Sequence, residues 1–588
     1  MKNKILISIA TIALLLTISY ACKETFLEQV PTGSMNNVVL ATEKGVNGLL
    51  VGAYAAIMEH TTGIWGAVAD GPENWVFGGI CSDEATKGMR SSNESAVNSL
   101  ENSTVTPTNS YCQNKWMFCY DGIARANDVL KVLAVCNPAH PDADNIKAQA
   151  LFLRGYFHIQ LKKIFNMIPY ITESVDPPKV KNDVDTWPLI EADLKFAMEN
   201  LPPSQADPGR ATKWSAMAFL AKVYMFQKKW PEAKTLLDDI IANSGKSLMP
   251  NYWDNFDITN RHNNEALFEI QASVNDGAQN SSNANYSDWG INPAGGYDGV
   301  VSCCGAYQPT QNLVNAYQVD AQGLPILTGT VPEFINDMGL SSSQTFVQDT
   351  ITPVDPRLDY VVGRRGVPYY DYGIMRGSEW IGDQAYGGPY NGKKGFLSKA
   401  DADAGYITNT GWASGVNAHI YKPIRYAHIL LWRAEVAAET GDFVTATTLV
   451  NQIRERASHQ KVMGRCRTFE LLDQTSLNVD YTVPAANYKI NQYTSNFPNI
   501  DYARKAIQME NRLEFAMEGH RHFDLVRWGI AAETINAYYE QDRGFRYLFT
   551  GTTPAHFTAG RNEYFPIPQT QIDIQKGVLT QIPGYGGN

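Results

Sequence analysis

The sequence contains few cysteines, and none of them forms a paired motif. Only 8 of the 588 residues are cysteines, and no C-x-x-C spacing occurs, which argues against a zinc site and against a thioredoxin-like redox motif. On one helix Cys112 and Cys119 would lie ~10 Å apart, too far for a disulfide. The adjacent residues Cys303 and Cys304 could form a strained vicinal disulfide, but we expect two reduced thiols.

An excess of positive charge is also lacking. The net charge is -11 and the isoelectric point is about 5.5. Nucleic-acid binding requires clustered Lys and Arg side chains that neutralise phosphates, so nucleic acid is excluded as a partner. Beyond the N-terminus no run of apolar residues reaches the ~18 that a membrane-spanning helix needs.

The motifs of common enzymes are missing as well. The sequence has no HExxH, no GxSxG, and no GxGxxG between a strand and a helix, so we predict no catalytic activity and no cofactor. GGPYNGKK at 387–394 approaches a phosphate loop, but Lys394 occupies the position of the required Ser or Thr. DADAG at 401–405 resembles the start of a calcium loop without its later Gly and Glu, which leaves an irregular structural calcium site open.

The N-terminus carries an export signal. MKNKILISIATIALLLTISYAC combines Lys2 and Lys4 with an apolar run from Ile5 to Ile18, which predicts a signal peptide over residues 1–21. Ser19-Tyr20-Ala21 fits ordinary signal peptidase, which would release a soluble protein. Ala21-Cys22 fits a lipoprotein site, although Ser19 stands where Leu is usual. A cysteine directly at the cut favours the lipoprotein, with Cys22 as the lipidated first residue.

Helical periodicity is clearest in two helix pairs. Residues 213–245 and 426–457 each read as two amphipathic helices joined by a short turn, with Ala at the positions where the helices cross. This is the tetratricopeptide (TPR) pattern, in which small residues let antiparallel helices approach closely. Further helices are predicted at 41–60, 113–135, 145–166, 186–200 and 501–518.

Residues 250–418 lack that periodicity. Gly, Asn, Tyr and Trp dominate, as in NYSDWGINPAGGYDG at 285–299. Disordered segments are poor in aromatic residues, so this composition predicts an ordered, loop-rich region of functional importance.

Residues 518–529, EGHRHFDLVRWG, form the densest group of polar side chains in the chain. On a helix His520 and Asp524 share one face, whereas Glu518 and His522 share another about 200° away, so no single metal ion can collect all of them. We therefore predict a buried, hydrogen-bonded network at a helix break near Gly519, with a scaffolding role.

ENRLEFAMEGHRHFDLVRWG at 510–529 resembles the C-terminal signature of the SusD/RagB family, the surface nutrient-binding lipoproteins of Bacteroidetes. Other segments resemble family motifs in the expected order, and together they cover nearly all of the mature chain. These segments are FLEQVPTG (26–33), Ser82-Asp83-Glu84, ALFLRGYFHIQL (150–161), PTQNLVNAY (309–317), DPRL (355–358) and YFPIPQTQIDIQKGVLTQIPGY (564–585).

The resemblance implies a mostly α-helical fold with TPR-like pairs as its scaffold and a large irregular, loop-rich insertion. It replaces the several domains that length alone suggests with a single domain over residues 22–588. We expect the divisions of that domain to be the helical scaffold at about 38–250 and 420–530, the ligand-binding insertion at about 251–419 and a C-terminal tail at 531–588.

The resemblance also implies a role. Members of this family sit at the cell surface on the outer membrane, anchored by lipid, over a SusC-like TonB-dependent transporter. They capture an oligosaccharide or polysaccharide, or in some members a peptide, and pass it inward without acting as enzymes. Lys23-Glu24 after Cys22 resembles the charged surface-export signals of these bacteria.

Candidate ligand contacts follow from local chemistry and not from the family motifs. Flat aromatic rings cover the C–H faces of sugars, while Asn, Asp and Arg bind the hydroxyl rim. Packing within its own loop is the competing interpretation for every candidate. The expected platforms are Trp75, Trp289 and Trp380, followed by Tyr297 and Tyr386, and the expected hydroxyl partners are Asn74, Asp288 and Arg376.

Two alternative functions stay open. Peptide capture predicts a groove rich in accessible glycine backbone with fewer stacking rings. A TPR-type assembly protein without a small ligand predicts a large exposed apolar patch on the concave helical face.

Overall fold

The structure is a computed structural model of the 588-residue chain. The signal peptide, Cys22, Trp289 and Tyr297 lie outside the residues that it describes. The described ranges are 37–58, 71–278, 281–288, 304–408, 415–468, 478–543 and 554–586.

Long helices form the scaffold, which confirms the mostly α-helical fold. Both predicted TPR-like pairs are present as two helices and a short turn. The longer helices are α1 (Glu43–Ala55), α2 (Ser110–Ala134), α3 (Ala143–Phe165), α4 (Trp187–Asn200), α5 (Lys213–Phe226), α6 (Trp230–Asn243), α7 (Tyr426–Glu439), α8 (Phe443–Ala457), α9 (Ile500–Phe515), α10 (Arg521–Trp528) and α11 (Ala531–Asp542). Shorter helices are Asn37–Leu40, Ser95–Glu101, Gln311–Ala316, Leu358–Val361, Gln384–Gly387, Lys399–Asp403 and Gln569–Ile574, with a π-helical turn at Trp75–Ile80 and 3₁₀ turns at Pro177–Lys179, Trp253–Asn255, Ile258–Asn260 and Ser378–Trp380.

Local sequence explains where these helices begin. Thr212 and Ser215 form a capping box at the start of α5, each side chain bonding to the other's backbone N–H. Gly441 adopts a φ of +85° in the turn of the second pair, and Asp442 caps α8 by accepting from the backbone N–H of Thr445 at 3.0 Å. The short turn that the sequence predicts within residues 426–457 is thus confirmed, at Gly441 and Asp442.

The helices stack in chain order, each against the next, from α2 to α6. Close approach needs small residues, and at Gly122 on α2 a Cβ atom would lie 2.3 Å from the ring of Phe157 on α3. Helix α6 then packs directly against α7, although the loop-rich insertion separates them in sequence. The stack therefore continues through the insertion point, and α7 packs against both α8 and α9.

Short two-stranded sheets, which helical periodicity does not predict, fix the insertion to the scaffold. The strands are β1 (Ala85–Gly88), β2 (Ala266–Ile270), β3 (Ala306–Pro309), β4 (Pro353–Val354), β5 (Val362–Gly363), β6 (Asn391–Gly392), β7 (Tyr421–Arg425), β8 (Met463–Thr468), β9 (Asn478–Pro484) and β10 (Asn487–Tyr488). The pairs β1–β3, β2–β7, β5–β6 and β8–β9 are antiparallel, and β4–β10 is parallel. In the β2–β7 pair Ala266 lies opposite Arg425, so the first and last strands of the insertion close its base.

The main hydrophobic core draws on every part of the chain that the structure describes. Val46 and Phe219 come from the scaffold, Leu358 from the insertion, Leu513 from α9 and Ile582 from the tail. None of the described helices combines the length and the apolar character that crossing a bilayer requires.

The cysteines follow the sequence analysis only in part. Cys112 and Cys119 are buried and are not joined by a disulfide, as their spacing predicts. Cys304 is disulfide-bonded, so the expected pair of reduced thiols at Cys303 and Cys304 is wrong.

The segment EGHRHFDLVRWG is a buried polar network at a helix break, as predicted. Helix α9 ends at Phe515, Gly519 adopts a φ of +72°, and α10 begins at Arg521. Arg521 donates to Asp83 at 2.8 and 3.1 Å, which joins two motifs more than 400 residues apart in sequence.

We predict that Gly519→Ala destabilises the protein far more than Gly529→Ala. Both glycines have a left-handed φ, of +72° and +78°, which costs an Ala about 1–2 kcal/mol. A Cβ at Gly519 would also lie 1.9 Å from the carbonyl oxygen of Glu73, whereas nothing lies within 4 Å at Gly529. The overlap adds roughly 1–3 kcal/mol.

Urea unfolding of both variants measures the difference. Equal losses of unfolding free energy would show that Gly519 is required for its backbone angle alone and not for the close approach of the loop at Glu73.

Candidate functional site

Some of the residues predicted to bind ligand lie together. Trp75 and Asp288 line one cavity of about 50 Å³, and Asn74 precedes Trp75 at its edge. The cavity lies between the π-helical turn at Trp75–Ile80, the segment 281–288 and strand β7.

Asn74 acts as a structural residue in this arrangement. Its side-chain amide donates to the carbonyl of Pro72 at 2.8 Å and to Oε1 of Gln160 on α3 at 3.0 Å. These bonds hold the backbone of Asn74 at a φ of +54° and attach the following turn to the helical scaffold.

Trp75 is a wall of the cavity. Its ring is 3% exposed and packs 5.3 Å from the ring of Tyr307, centroid to centroid. The indole Nε1 of Trp75 is buried without a hydrogen-bond partner among the described residues. The polar end of the ring is therefore available to a guest in the cavity, while its faces are covered.

Asp288 belongs to a buried acidic pair. The amide of Asn285 donates to Glu73 at 3.0 Å and to Asp288 at 3.1 Å, and so bridges the two carboxylates. Nδ1 of His419 binds the same Oδ2 of Asp288 at 2.9 Å. Within the described residues Oε2 of Glu73 and Nε2 of His419 have no partner.

Burial and the neighbouring Asp288 charge raise the pKa of Glu73 to about 7, because both disfavour its ionised form. Burial also raises the pKa of Asp288, against the opposing effect of His419. Glu518 and Lys394 also line the cavity, so charged groups of both signs border it.

Of the other described candidates, Trp380, Tyr386 and Arg376 do not line this cavity, and the burial of Trp380 and Tyr386 corrects the sequence analysis. Trp380 is fully buried in a cluster with Tyr369 and Phe396, and its ring meets that of Tyr369 edge-on at 5.6 Å. Tyr386 is also fully buried, and its hydroxyl donates to Asn98 at 2.5 Å. A sugar needs an open ring face, so Trp75, Trp380 and Tyr386 are packing residues here and not exposed platforms. Arg376 is half-buried and faces Glu379 at 3.6 Å.

An open groove of about 660 Å³ lies at the other end of segment 281–288. Val51 on α1, with Ile57 and Met58 in the turn that follows this helix, supplies its apolar wall. Strand β2 and the residues after it form the floor. Ser282 and Asn283 line this groove while Asp288 lines the cavity, so one short segment borders both.

The groove holds polar groups with unused hydrogen-bonding capacity. The guanidinium of Arg261 stacks 5.2 Å from the centroid of the Tyr406 ring. Neither Arg261 nor the exposed side chain of Gln271 has a hydrogen-bond or ion-pair partner among the described residues. Oε1 of the buried Glu269 is likewise without a partner there, while its Oε2 binds His262 at 2.6 Å.

Sequence reasoning missed these groove residues. Arg261, Glu269 and Gln271 follow no motif, and the ordinary strand pattern of β2 predicts only burial. Glu73 was detectable from its position beside Asn74, whereas His419 becomes recognisable only when strand β7 brings it to Asp288.

The possible calcium site at 401–405 has an ordinary local structure. Asp401 accepts hydrogen bonds from the backbone and hydroxyl of Ser398 at 3.0 and 2.6 Å, which closes a capping box. Across the described ranges, no group of at least three His, Cys, Asp or Glu side chains is arranged to hold a metal ion.

We predict that Glu73→Gln gains stability relative to the unchanged protein as the pH rises. Glu73 has a pKa of about 7 in the folded state against 4.5 in the unfolded chain. The stability that its protonation contributes is therefore complete below pH 4.5 and is lost as the pH rises to 7. The free energy of unfolding of Glu73→Gln, relative to that of the unchanged protein, should therefore increase by about 3 kcal/mol between pH 4.5 and 7 and then level off. Urea unfolding from pH 4 to 8 tests this, with the exposed Glu232→Gln as control. A flat difference for Glu73→Gln would mean that Glu73 ionises normally.

Comparison with known proteins adds to this geometry. A family model described as "SusD family" matches residues 264–585, and a second described as "Starch-binding associating with outer membrane" matches residues 26–225. The first alone covers more than half of the chain.

Relatives match over almost the whole length. A SusD-like protein of Bacteroides ovatus is 24% identical over 636 aligned residues, which cover 99% of this chain and 98% of that protein. A solved SusD superfamily protein from Bacteroides vulgatus has a TM-score of 0.67 at 22% identity and covers 92% of this chain and 99% of its own.

Surface glycan-binding protein A from Bacteroides thetaiotaomicron, solved in complex with laminarihexaose, has a TM-score of 0.64 at 18% identity. That comparison covers 92% of this chain and 99% of the other. The family model over residues 264–585, together with the SusD-like fold, shows that the chain belongs to the SusD family.

Proposed function

We propose that this chain is a non-catalytic, cell-surface protein that binds oligosaccharide or polysaccharide in the groove beside α1 and β2. The observation that carries the proposal is the groove of about 660 Å³ with free hydrogen-bonding side chains, in a chain of the SusD family. A volume of that size accommodates a few sugar rings, since ligand pockets commonly measure about 300–1,000 Å³.

The groove chemistry matches the hydroxyl rim of a sugar. Arg261 offers N–H donors from a guanidinium that Tyr406 holds in place. The exposed side-chain amide of Gln271 offers both donors and an acceptor. Adjacent hydroxyls on a sugar ring donate and accept in the same way, so this set can bind them without rearranging the fold.

The apolar wall completes the match. Val51, which is 53% exposed, lies with Ile57 and Met58 along one side, where C–H faces of a sugar can be covered. Trp289 and Tyr297 follow directly after segment 281–288 in sequence, and both stay in the proposal as stacking residues.

Anchoring and delivery belong to the same proposal. Cys22 would carry the lipid after removal of residues 1–21, which would hold the protein at the outer membrane. A SusC-like TonB-dependent transporter would receive the glycan. The description "Starch-binding associating with outer membrane" of the N-terminal family model supports this location.

Replacing Arg261 and Gln271 by Ala should weaken glycan binding without loss of fold, because both side chains line the groove without a hydrogen-bond or ion-pair partner among the described residues. Electrophoresis in native gels that contain laminarin, starch or other polysaccharides measures the retardation. We expect the affinity of the double variant to fall tenfold or more. Each lost hydrogen bond contributes about 1 kcal/mol, and a bond to the charged guanidinium contributes more.

Arg504→Ala is the matched control. It removes the same charge from an exposed arginine on α9 that pairs with Glu439. Unchanged retardation of the double variant would move the glycan site elsewhere, and retardation of the unchanged protein by no polysaccharide would reject glycan binding altogether.

Trp289→Ala and Trp380→Ala should have opposite effects. Trp289 is proposed to stack on the sugar, so its loss should reduce retardation at an unaltered unfolding temperature. Trp380 is fully buried, so its loss should cost about 3–5 kcal/mol of stability. Thermal unfolding and gel retardation of both variants provide the test. Normal glycan binding by Trp289→Ala would remove Trp289 from the site.

A further inference from the structure

A small cavity of about 10 Å³ lies where helices α3, α5, α7 and α10 meet, away from the proposed glycan groove. It adjoins the segment EGHRHFDLVRWG, whose scaffolding role leaves this cavity unexplained. The polar residues that line it are Lys163, Lys222, His428, His520, Asp524 and Arg527.

Lys163 and Lys222 line this small space and are 5% and 9% exposed. Within the described part of the chain neither side chain forms a hydrogen bond or an ion pair, and Nζ of Lys163 lies 4.3 Å from the centroid of the Phe523 ring. An ammonium removed from water without a counterion is costly, and burial lowers the pKa of Lys163 well below its usual range and that of Lys222 to about 8. A bound anion would favour the charged form of both lysines.

His428 adds a neutral donor. Its Nδ1 accepts a hydrogen bond from the backbone N–H of Arg425 at 3.0 Å, so in the neutral ring the proton resides on Nε2. Burial and nearby cations hold the pKa of His428 well below its usual range, which keeps the ring neutral. Among the described residues its Nε2–H finds no acceptor, although the side chain is only 3% exposed.

The carboxylates around the cavity are already engaged. Asp524 accepts from Nε of Arg527 at 2.7 Å, and Glu435 accepts from both terminal nitrogens of Arg527 at 2.6 and 2.9 Å. Arg527 is therefore shared by two carboxylates. Set against Lys163, Lys222 and Arg527, these acids leave an excess of positive charge.

We propose that this cavity binds one monoatomic anion of the chloride type. The ammoniums of Lys163 and Lys222 and the Nε2–H of His428 donate to it, and it joins α3 and α5 to α7 and α10. The size of the cavity limits it to a single small species, because about 10–15 Å³ is the least volume that holds one water molecule, and the charge of the lining decides in favour of an anion. Phosphate and sulfate are too large for it.

Crystals of the full chain grown or soaked in sodium bromide provide the direct test. An anomalous bromide peak within hydrogen-bond distance of both lysine nitrogens is expected. Absence of a bromide peak at this position, with an ordinary water molecule in the cavity, would overturn the proposal.

Thermal unfolding provides a second test in solution. When chloride replaces gluconate at constant ionic strength, the unfolding temperature should rise, because a ligand that binds only the folded state stabilises that state. Lys163→Met with Lys222→Met should abolish this dependence while the protein stays folded, since methionine keeps the length of the side chain and removes the uncompensated charge.

Lys234→Met is the control, because Lys234 is an exposed lysine on α6 with a side chain 50% exposed. It should retain the full chloride dependence. An equal chloride response in the double variant would identify a general salt effect and reject the site.

Discussion

The architecture depends on the buried ion pairs of the Glu514 carboxylate on α9. This carboxylate accepts from Arg357 at 3.1 Å, from Arg425 at 3.0 Å, and from Arg456, and these side chains are at most 3% exposed. The three arginines hold the pKa of Glu514 far below its usual range, despite burial. Removing one partner from a buried ionic group leaves an uncompensated charge, at a cost of about 3–5 kcal/mol.

The same ionic network continues along α9. Glu510 binds Arg357 at 2.8 Å and Arg454 at 2.9 Å, one turn before Glu514. Glu518, in the break that follows α9, binds Arg425 at 2.8 Å and Lys394 at 2.7 Å. Spacing by four residues places Glu510 and Glu514 on one face of α9, and Glu518 adds a third acid beyond the end of the helix, so this short stretch collects cations from separate parts of the chain.

This network explains which parts of the fold could be predicted from sequence. Helices of the scaffold have a regular apolar stripe, because they bury one face against their neighbours, and periodicity predicts them. The family motifs are halves of buried pairs, such as Arg357 in DPRL with Glu514 in ENRLEF, and Asp83 with Arg521. Each half is a short and unspecific string, so only the ordered set identifies the family.

The site was less predictable for a physical reason. A loop has no period that separates its buried face from its exposed one, so Trp380 within a Gly-rich stretch reads the same whether it packs or binds. Arg261 and Gln271 are recognisable only by what they do not contact, and that is a property of the folded chain. Asp288 and Trp75 converge because strand pairing and segment 281–288 bring them together, which no local pattern encodes.

The network also reaches the proposed binding face. Glu265, which binds Arg425 at 2.6 Å and Arg456 at 3.1 Å, immediately precedes strand β2, and β2 carries Glu269 to the groove. At the other edge Glu518 and Lys394 line the cavity beside Asp288. The strand under the groove is therefore held by buried ion pairs, while Arg261 and Gln271 in the groove have no hydrogen-bond or ion-pair partner among the described residues. Little ordering is then required when a ligand binds. An open, partly wet groove on such a rigid base also allows release, which a protein that hands its ligand onward requires.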